Sequence, residues 1–128
     1  MRKGMSWIVA GALLALGGWW LARAWPADDD LDPLKVASDT HSLVFENKFV
    51  RVIQAKVPPG KIEPKHRHPH GVNISMADYD VEQKTFPDGK VAKLHRSFGL
   101  ASWVEPQVHE IKNVGTTGLH SIRVELKF

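Results

Sequence analysis

Three histidines in two short stretches of the chain have the spacing of a metal-binding site. His66 and His68 are two residues apart, so on an extended strand their side chains point to the same face. His109 lies in a later stretch of the chain. If another strand brings it to that face, three imidazole nitrogens can bind one divalent transition metal. The chemistry predicted from these residues is metal binding through nitrogen.

The composition restricts the chemistry of such a site. The chain has no cysteine, which excludes disulfide bonds and thiolate ligands. Nitrogen and oxygen atoms must therefore hold any metal. The predicted cofactor is one divalent transition metal, namely iron, manganese, zinc, nickel or copper. The Irving–Williams order makes copper, nickel and zinc the strongest competitors for nitrogen ligands.

The formal net charge of +3 comes from the first 24 residues. They hold three of the 17 lysines and arginines and none of the 14 acidic residues, so 17 − 3 = 14 basic side chains remain against 14 acidic ones. A neutral domain lacks the basic surface that nucleic-acid binding requires. The predicted partner is instead a small-molecule ligand or substrate.

The N-terminal residues have the pattern of an export signal. Arg2 and Lys3 precede nineteen uncharged residues, 4–22, and Ala22-Arg23-Ala24 matches a cleavage site. The two main interpretations are a cleaved signal peptide and an uncleaved membrane anchor helix. The second is open because nineteen helical residues nearly span a bilayer. A buried soluble helix is the third. Both leading interpretations predict a periplasmic or secreted domain, with membrane contact only through an uncleaved segment.

Beyond the leader, the chain divides into a polar segment and a β-rich region. Residues 25–42 are rich in aspartate and contain two prolines, which predicts a flexible tether. Short β-rich runs separated by turn residues follow over residues 43–128, and Asp88-Gly89 is a hairpin signal between two of them. This pattern of short strands and frequent turns predicts an all-β barrel or sandwich with a modest core. An exposed sheet edge covered by a second copy would make a homodimer.

The last run of the chain, residues 119–128, alternates between two faces. The mainly apolar face is predicted to point into the core and the polar face to solvent. The first face carries His120, Ile122, Val124, Leu126 and Phe128, and the second carries Ser121, Arg123, Glu125 and Lys127. His120 is therefore predicted to be a core residue, whereas His41 and His95 are predicted to lie at the surface.

The two histidine stretches resemble the two signature motifs of the cupin superfamily. Residues 60–68, GKIEPKHRH, resemble the motif Gly-x5-His-x-His. Residues 99–113, GLASWVEPQVHEIKN, resemble the second motif, in which His-x3-Asn follows a glycine and a proline. The resemblance covers residues 43–128 and implies a cupin-type jelly-roll barrel, a double-stranded β-helix. It also implies that the three histidines lie on neighbouring strands and share one metal in the barrel mouth.

The position of a fourth ligand departs from that family's pattern. Cupins usually place a glutamate after three or four intervening residues that follow the second histidine, where this chain has Val72 and Asn73. Asn73 offers a neutral amide oxygen as a weak ligand, and His70, in a predicted turn, is the alternative. Three neutral imidazoles without a carboxylate leave more positive charge on the metal, which favours anionic ligands.

The resemblance leaves three classes of function open. One is an oxygenase- or isomerase-type enzyme acting on a small anionic or dicarbonyl substrate. Another is a non-catalytic module that binds metal or a small ligand. The third is a metal-free degenerate cupin that serves as an interaction domain. The catalytic residues stay unassigned, because Glu63, Glu105 and Glu110 are candidates for a general base only by proximity to the motifs.

Overall fold

The computed structural model describes residues 29–128, which form one short helix and nine strands. The helix is α1 (Pro33–Val36). The strands are β1 (His41–Glu46), β2 (Val50–Val57), β3 (Ile62–His68), β4 (Gly71–Ser75), β5 (Tyr79–Phe86), β6 (Val91–Arg96), β7 (Ala101–Val104), β8 (Gln107–Asn113) and β9 (Leu119–Leu126).

The strands make two antiparallel sheets around one interior. The larger sheet has the order β1-β2-β9-β4-β7, and the smaller has the order β3-β8-β5-β6. The inward faces of both sheets line a shared cavity. The described chain is therefore all-β, as predicted, and its architecture is that of a jelly-roll barrel.

The hairpin predicted at Asp88-Gly89 is confirmed. It joins β5 to β6, and Gly89 has a φ of +72°, a backbone conformation that other residues disfavour. The N–H of Lys90 donates to Oδ1 of Asp88 at 3.2 Å. The N–H of Thr85 donates to the carbonyl of Lys90 at 2.8 Å and closes the hairpin. This turn is local, so its residues alone suffice to predict it.

The segment predicted as a flexible tether is ordered over its described part. Asp32 caps α1 by accepting from the N–H of Leu34 at 3.0 Å. Its other carboxylate oxygen accepts from Nη1 of Arg51 at 2.8 Å, and β1 begins at His41, inside the predicted tether. The prediction is therefore wrong for residues 29–42, because a helix cap, an ion pair and a strand hold this segment against the barrel.

The predicted leader, residues 1–24, and the start of the tether lie outside the described residues. Over residues 29–128, none of the helices has the length and apolar character needed to cross a membrane. The signal peptide, the alternative anchor helix and the export of the domain stay predictions.

The orientation of β9 is the opposite of the predicted one. Its buried side chains are Leu119, Ser121, Arg123 and Glu125, whereas His120, Ile122, Val124 and Leu126 are only partly buried. The register places Glu125 beside Arg51 of β2, so a buried carboxylate meets a buried guanidinium. A period of two shows which residues share a face, but the partners on other strands decide which face is inside.

The outward face of the larger sheet is apolar. Directly paired residues of neighbouring strands share a face, and one apolar row crosses all five strands. The row consists of Phe45, Val52, Val124, Val72 and Trp103. Phe45 is 53% exposed and Trp103 is 56% exposed. Because each aromatic side chain offers about 150–250 Å², these two alone leave roughly 200 Å² of apolar surface in solvent. Monomers also carry apolar patches of a few hundred Å², and this face is the candidate surface for the predicted homodimer.

We expect the predicted homodimer to form through this face rather than through a sheet edge. In light scattering, the full chain should have the mass of a dimer and the Trp103→Lys variant that of a monomer, because an ammonium group is poorly tolerated at the centre of an interface. Ile62→Lys is the matched control, since Ile62 is 48% exposed on the smaller sheet. A monomeric unsubstituted chain at working concentration would contradict the expectation.

Candidate metal centre

The pairing of β3 with β8 brings the two histidine stretches together. His66 is paired directly with His109, and His68 is paired with Gln107. His66 and His68 point inward from the same face of β3 and are 0% and 3% exposed, while His109 is 6% exposed. The two motifs therefore lie on neighbouring strands, as the cupin resemblance implied.

Asn113 fixes the end of the strand that carries His109. Its Nδ2 donates to the carbonyls of Val57 and Thr117, both at 2.8 Å. Its Oδ1 accepts from the N–H of Gly115 at 3.0 Å, and the residue is 0% exposed. One buried amide thus ties β8 to β2 and to the turn before β9. Asn113 of the second motif therefore has a structural role at the end of β8.

The three histidine rings converge inside the barrel. The Nε2 atoms of His66 and His109 are 3.0 Å apart. The ring centroids of His66 and His68 are 4.8 Å apart, and those of His68 and His109 are 5.2 Å apart. These separations place three imidazoles around a common point, which is the arrangement that a shared cation requires.

Each of the three rings has its Nδ1 atom next to an oxygen. The nearest oxygens are the carbonyl of Pro64 for His66 (2.7 Å), Oε1 of Glu125 for His68 (2.6 Å) and Oε1 of Gln83 for His109 (3.3 Å). Carbonyl and carboxylate oxygens only accept, so each Nδ1 carries the proton and donates it. Each Nε2 then keeps its lone pair.

This pattern of tautomers fits a metal ion. Two Nε2 lone pairs that face each other at 3.0 Å repel unless a cation lies between them or near them. An oxygen acceptor on the opposite ring nitrogen is also the usual way in which proteins orient metal-binding histidines. The residues present therefore match a divalent metal bound through the Nε2 atoms of His66, His68 and His109.

A fourth histidine, His41, lies beside this cluster. It is 6% exposed, and its ring centroid is 5.0 Å from that of His66 and 5.9 Å from that of His68. One ring nitrogen from each of His41, His66 and His68 lies within 4.8 Å of the other two. The prediction that His41 lies at the surface is wrong, because its pairing with Ala55 on β2 turns the ring into the barrel. No local spacing in the sequence links His41 to the motifs.

Burial keeps these histidines neutral. Desolvation lowers the pKa of His66 to about 4 and that of His41 to about 3. It also lowers the pKa values of His68 and His109 well below 6.5. The positive charge of Arg123 contributes to the lowering at all four rings. At neutral pH the lone pairs are therefore free of protons, as metal binding requires.

A buried ion-pair network holds His68 in place. Glu125 is 0% exposed, and its Oε1 accepts from Nδ1 of His68 at 2.6 Å. Its Oε2 accepts from Nε of Arg51 at 2.6 Å, and Arg51 also donates to Asp32. Desolvation raises the pKa of Glu125, while the charge of Arg51 opposes that rise. Sequence analysis missed this network, because it placed Glu125 on the solvent face of β9.

The two weaker ligand candidates lie in different places. Asn73 points inward from β4 and lines the cavity, in register with Arg123 and Ser102. The ring of His70 instead stacks on that of Trp103, with centroids 5.7 Å apart and an interplanar angle of 19°. The structure therefore brings Asn73 into the interior that holds the three histidines and turns His70 toward an aromatic neighbour.

The histidines open onto a cavity of about 240 Å³. Glu63 lines it and is 2% exposed, and desolvation raises its pKa to about 7. Of the three glutamates near the motifs, Glu63 is thus the one that is buried beside the site. Glu105 instead accepts from Nε1 of Trp103 at 2.7 Å in an exposed position.

Known proteins match this chain in fold. No family model and no curated protein matches the sequence. A cupin domain from Bordetella pertussis Tohama I has a TM-score of 0.63 and 23% identity, covering 69% of this chain and 92% of that one. A double-stranded β-helix protein from Klebsiella pneumoniae has a TM-score of 0.55 and 23% identity, covering 68% and 70%. An oxalate decarboxylase has a TM-score of 0.53 and 18% identity, covering 66% and 25%.

These structures share the double-stranded β-helix with the described chain, and the low identities limit the likeness to the fold. The strand order and the pairing of the two histidine-bearing strands agree with that fold. Residues 29–128 of this chain have the fold of a small cupin-type domain.

Proposed function

We propose that this chain is an exported metal-binding cupin that holds one divalent transition metal through Nε2 of His66, His68 and His109. The observation that supports the metal most directly is that oxygens hold the three Nδ1 atoms, while the Nε2 atoms of His66 and His109 lie 3.0 Å apart in the interior. The proposal of export rests on the leader predicted within residues 1–24.

His41 is the best-placed candidate for a fourth ligand. One of its ring nitrogens lies within 4.8 Å of nitrogens of His66 and His68, and it is buried with them. Asn73, at the place of the usual cupin glutamate, is the weaker candidate, since a neutral amide oxygen binds hard cations less well than a carboxylate. Either choice gives a centre without a negatively charged ligand.

We further propose that the centre serves an enzyme of the oxygenase or isomerase type, with a small anionic or dicarbonyl substrate. A bound divalent metal would act there as a Lewis acid or would activate oxygen. The oxalate decarboxylase among the structural neighbours acts on a small anion, which supports this substrate class. Glu63 is the residue placed to exchange a proton with a bound molecule, because it is buried in the cavity wall and its pKa of about 7 lies near neutral pH.

A module that binds metal or a small ligand without turnover is the second candidate. The observation that favours it is the small cavity in which His41 occupies space beside the other histidines. Oxygen uptake and product formation by the iron, manganese and zinc forms separate the two candidates. No turnover with any of these metals would favour the binding module.

The first test is the metal content of the native protein. Untagged protein recovered from the periplasmic or membrane fraction should contain about one divalent transition metal per chain, because three neutral imidazoles converge on one point. Elemental analysis after gel filtration measures this ratio. Recovery of the protein in the cytosol would contradict export, and a ratio near zero that metal addition does not raise would contradict the metal centre.

A further inference from the structure

We propose that Arg123 forms an anion subsite in the cavity, where it binds the carboxylate of a small ligand beside the histidines. This inference deepens the proposed function, on which it rests for the metal, and it names small mono- and dicarboxylates as the ligand class. The proposal is carried by the burial of Arg123, by an unused donor on its guanidinium and by the charges around the cavity.

Arg123 is buried and not fully paired. It is 6% exposed and lines the cavity. Its Nη2 donates to the carbonyl of Pro69 at 2.9 Å. Its Nε is buried and has no hydrogen-bond partner among the described residues. A buried charged donor that lacks an acceptor is costly, so an acceptor from a bound molecule would be strongly favoured there.

The neighbouring strand carries a useful comparison. Arg51 points into the same interior from β2, but its Nε donates to Glu125 and its Nη1 donates to Asp32. Arg51 therefore takes part in the ion-pair network through these two donors. Arg123 has no such carboxylate contact at Nε, although Glu125 lies two residues further along the same face of β9.

Arg123 is also close to the histidine cluster. Its charge lowers the pKa values of His41, His66, His68 and His109. Side chains two residues apart on one face of a strand are about 7 Å apart at their bases, and Glu125 at that distance contacts His68 directly. Arg123 therefore lies on the strand face that reaches the histidines, and it lines the same cavity as they do.

The charges around the cavity favour an anion. The charged side chains that line it are Arg96, Arg123 and Glu63, two cations and one carboxylate. The histidines are neutral, and Glu63 carries less than a full negative charge near its pKa of about 7. A divalent metal at the histidines would add two positive charges, which an anionic ligand can offset.

The cavity suits a small ligand. Its volume of about 240 Å³ is below the roughly 300–1,000 Å³ of sites that take drug-sized molecules. Asn73 and Ser102 line the same space and provide neutral hydrogen-bonding groups. A carboxylate of a few heavy atoms could therefore pair with the Arg123 guanidinium and still leave its other end free to approach the histidines.

The test is calorimetric titration with acetate and malonate, with acetamide as the neutral analogue, on both the metal-free and the zinc-loaded full chain. The unsubstituted protein should bind the carboxylates and not acetamide. Arg123→Gln should weaken carboxylate binding by about 10- to 100-fold, as expected for the loss of a charge-assisted hydrogen bond. Arg123→Lys should recover part of it, since it restores the charge without the planar fork.

Arg67→Gln is the matched control, because Arg67 pairs with Asp29 with a side chain that is 48% exposed, outside the cavity lining. It should bind carboxylates like the unsubstituted chain. Equal affinity of Arg123→Gln and the unsubstituted chain would overturn the subsite, and so would equal binding of acetamide and acetate. The second comparison needs no variant and therefore holds even if Arg123→Gln fails to fold.

The outcomes also separate the subsite from the metal. If zinc does not bind but acetate binding to the metal-free chain still depends on Arg123, the metal proposal fails and the anion subsite stands. If zinc binds and the arginine variants leave carboxylate binding unchanged, the metal centre stands and the anion subsite fails.

Discussion

Replacing His66 by alanine is expected to lower the affinity of the full chain for zinc by at least about 100-fold. Loss of a residue that only orients a metal-binding side chain lowers metal affinity by about 10- to 100-fold. Loss of the metal-binding side chain itself should lower it at least as much. His66 is the residue with the largest expected effect, because its Nε2 is 3.0 Å from that of His109 and it also belongs to the cluster with His41 and His68. Competition titration with a zinc chelator measures the change.

The control for this experiment is His95→Ala. The side chain of His95 is 60% exposed on β6 and contacts Asp80, so its loss should leave zinc affinity unchanged. His109→Ala should match His66→Ala, and His41→Ala should lower the affinity less, by about tenfold. If His66→Ala and His95→Ala bound zinc alike, the proposed centre would be wrong. If His41→Ala lowered zinc affinity more than His109→Ala did, the cation would instead be bound by His41, His66 and His68.

The part of the site that sequence patterns could predict is the part built from neighbouring residues. The i, i+2 spacing of His66 and His68 defines a shared face on any strand. The resemblance to two cupin motifs then predicted that His109 lies on the adjacent strand, and the pairing of β3 with β8 confirms this arrangement. The hairpin at Asp88-Gly89 is local in the same sense.

The part that could not be predicted depends on residues far apart in the chain. Arg51 and Glu125 are 74 positions apart, and neither has a neighbour in sequence that indicates the other. If the position of Arg51 is not known, the polar face of β9 is naturally assigned to solvent. Because Arg51 is buried and pairs with Glu125, the face that carries Glu125 and Arg123 is inside and the apolar face of the strand is outside. His41 was missed for a related reason, because its pairing with Ala55 on β2 determines its orientation.

The failure on β9 has a physical cause that applies to the whole larger sheet. A barrel that encloses a polar site needs polar side chains on its inner surface, so the usual assignment of apolar residues to the interior fails there. The largest group of buried apolar residues consists of Ala55, Val57, Tyr79, Val81, Ile111 and Leu119, and Ile53 and Ala37 are buried outside it. The rest of the interior is occupied largely by buried charged, imidazole and other polar groups.

Replacing Glu125 by alanine is expected to destabilise the metal-free protein by about 3–5 kcal/mol, the range found when one partner of a buried ion pair is removed. Glu125 is 0% exposed and accepts from both Arg51 and His68 at 2.6 Å. Its removal takes a carboxylate away from the buried guanidinium of Arg51 and deprives His68 of its acceptor. The free energy of unfolding from urea denaturation measures the effect.

Glu46→Ala provides the matched comparison, since Glu46 pairs with Lys127 at 2.6 Å and its side chain is 40% exposed. An exposed pair contributes about 0–1 kcal/mol, so this variant should remain close to the unsubstituted protein. If Glu125→Ala and Glu46→Ala lowered the free energy of unfolding equally, Glu125 would not compensate a buried charge.

The zinc affinity of Glu125→Ala gives an independent measurement. Glu125→Ala should lower it by about 10- to 100-fold, because His68 would no longer be fixed as the tautomer that presents Nε2 to the metal.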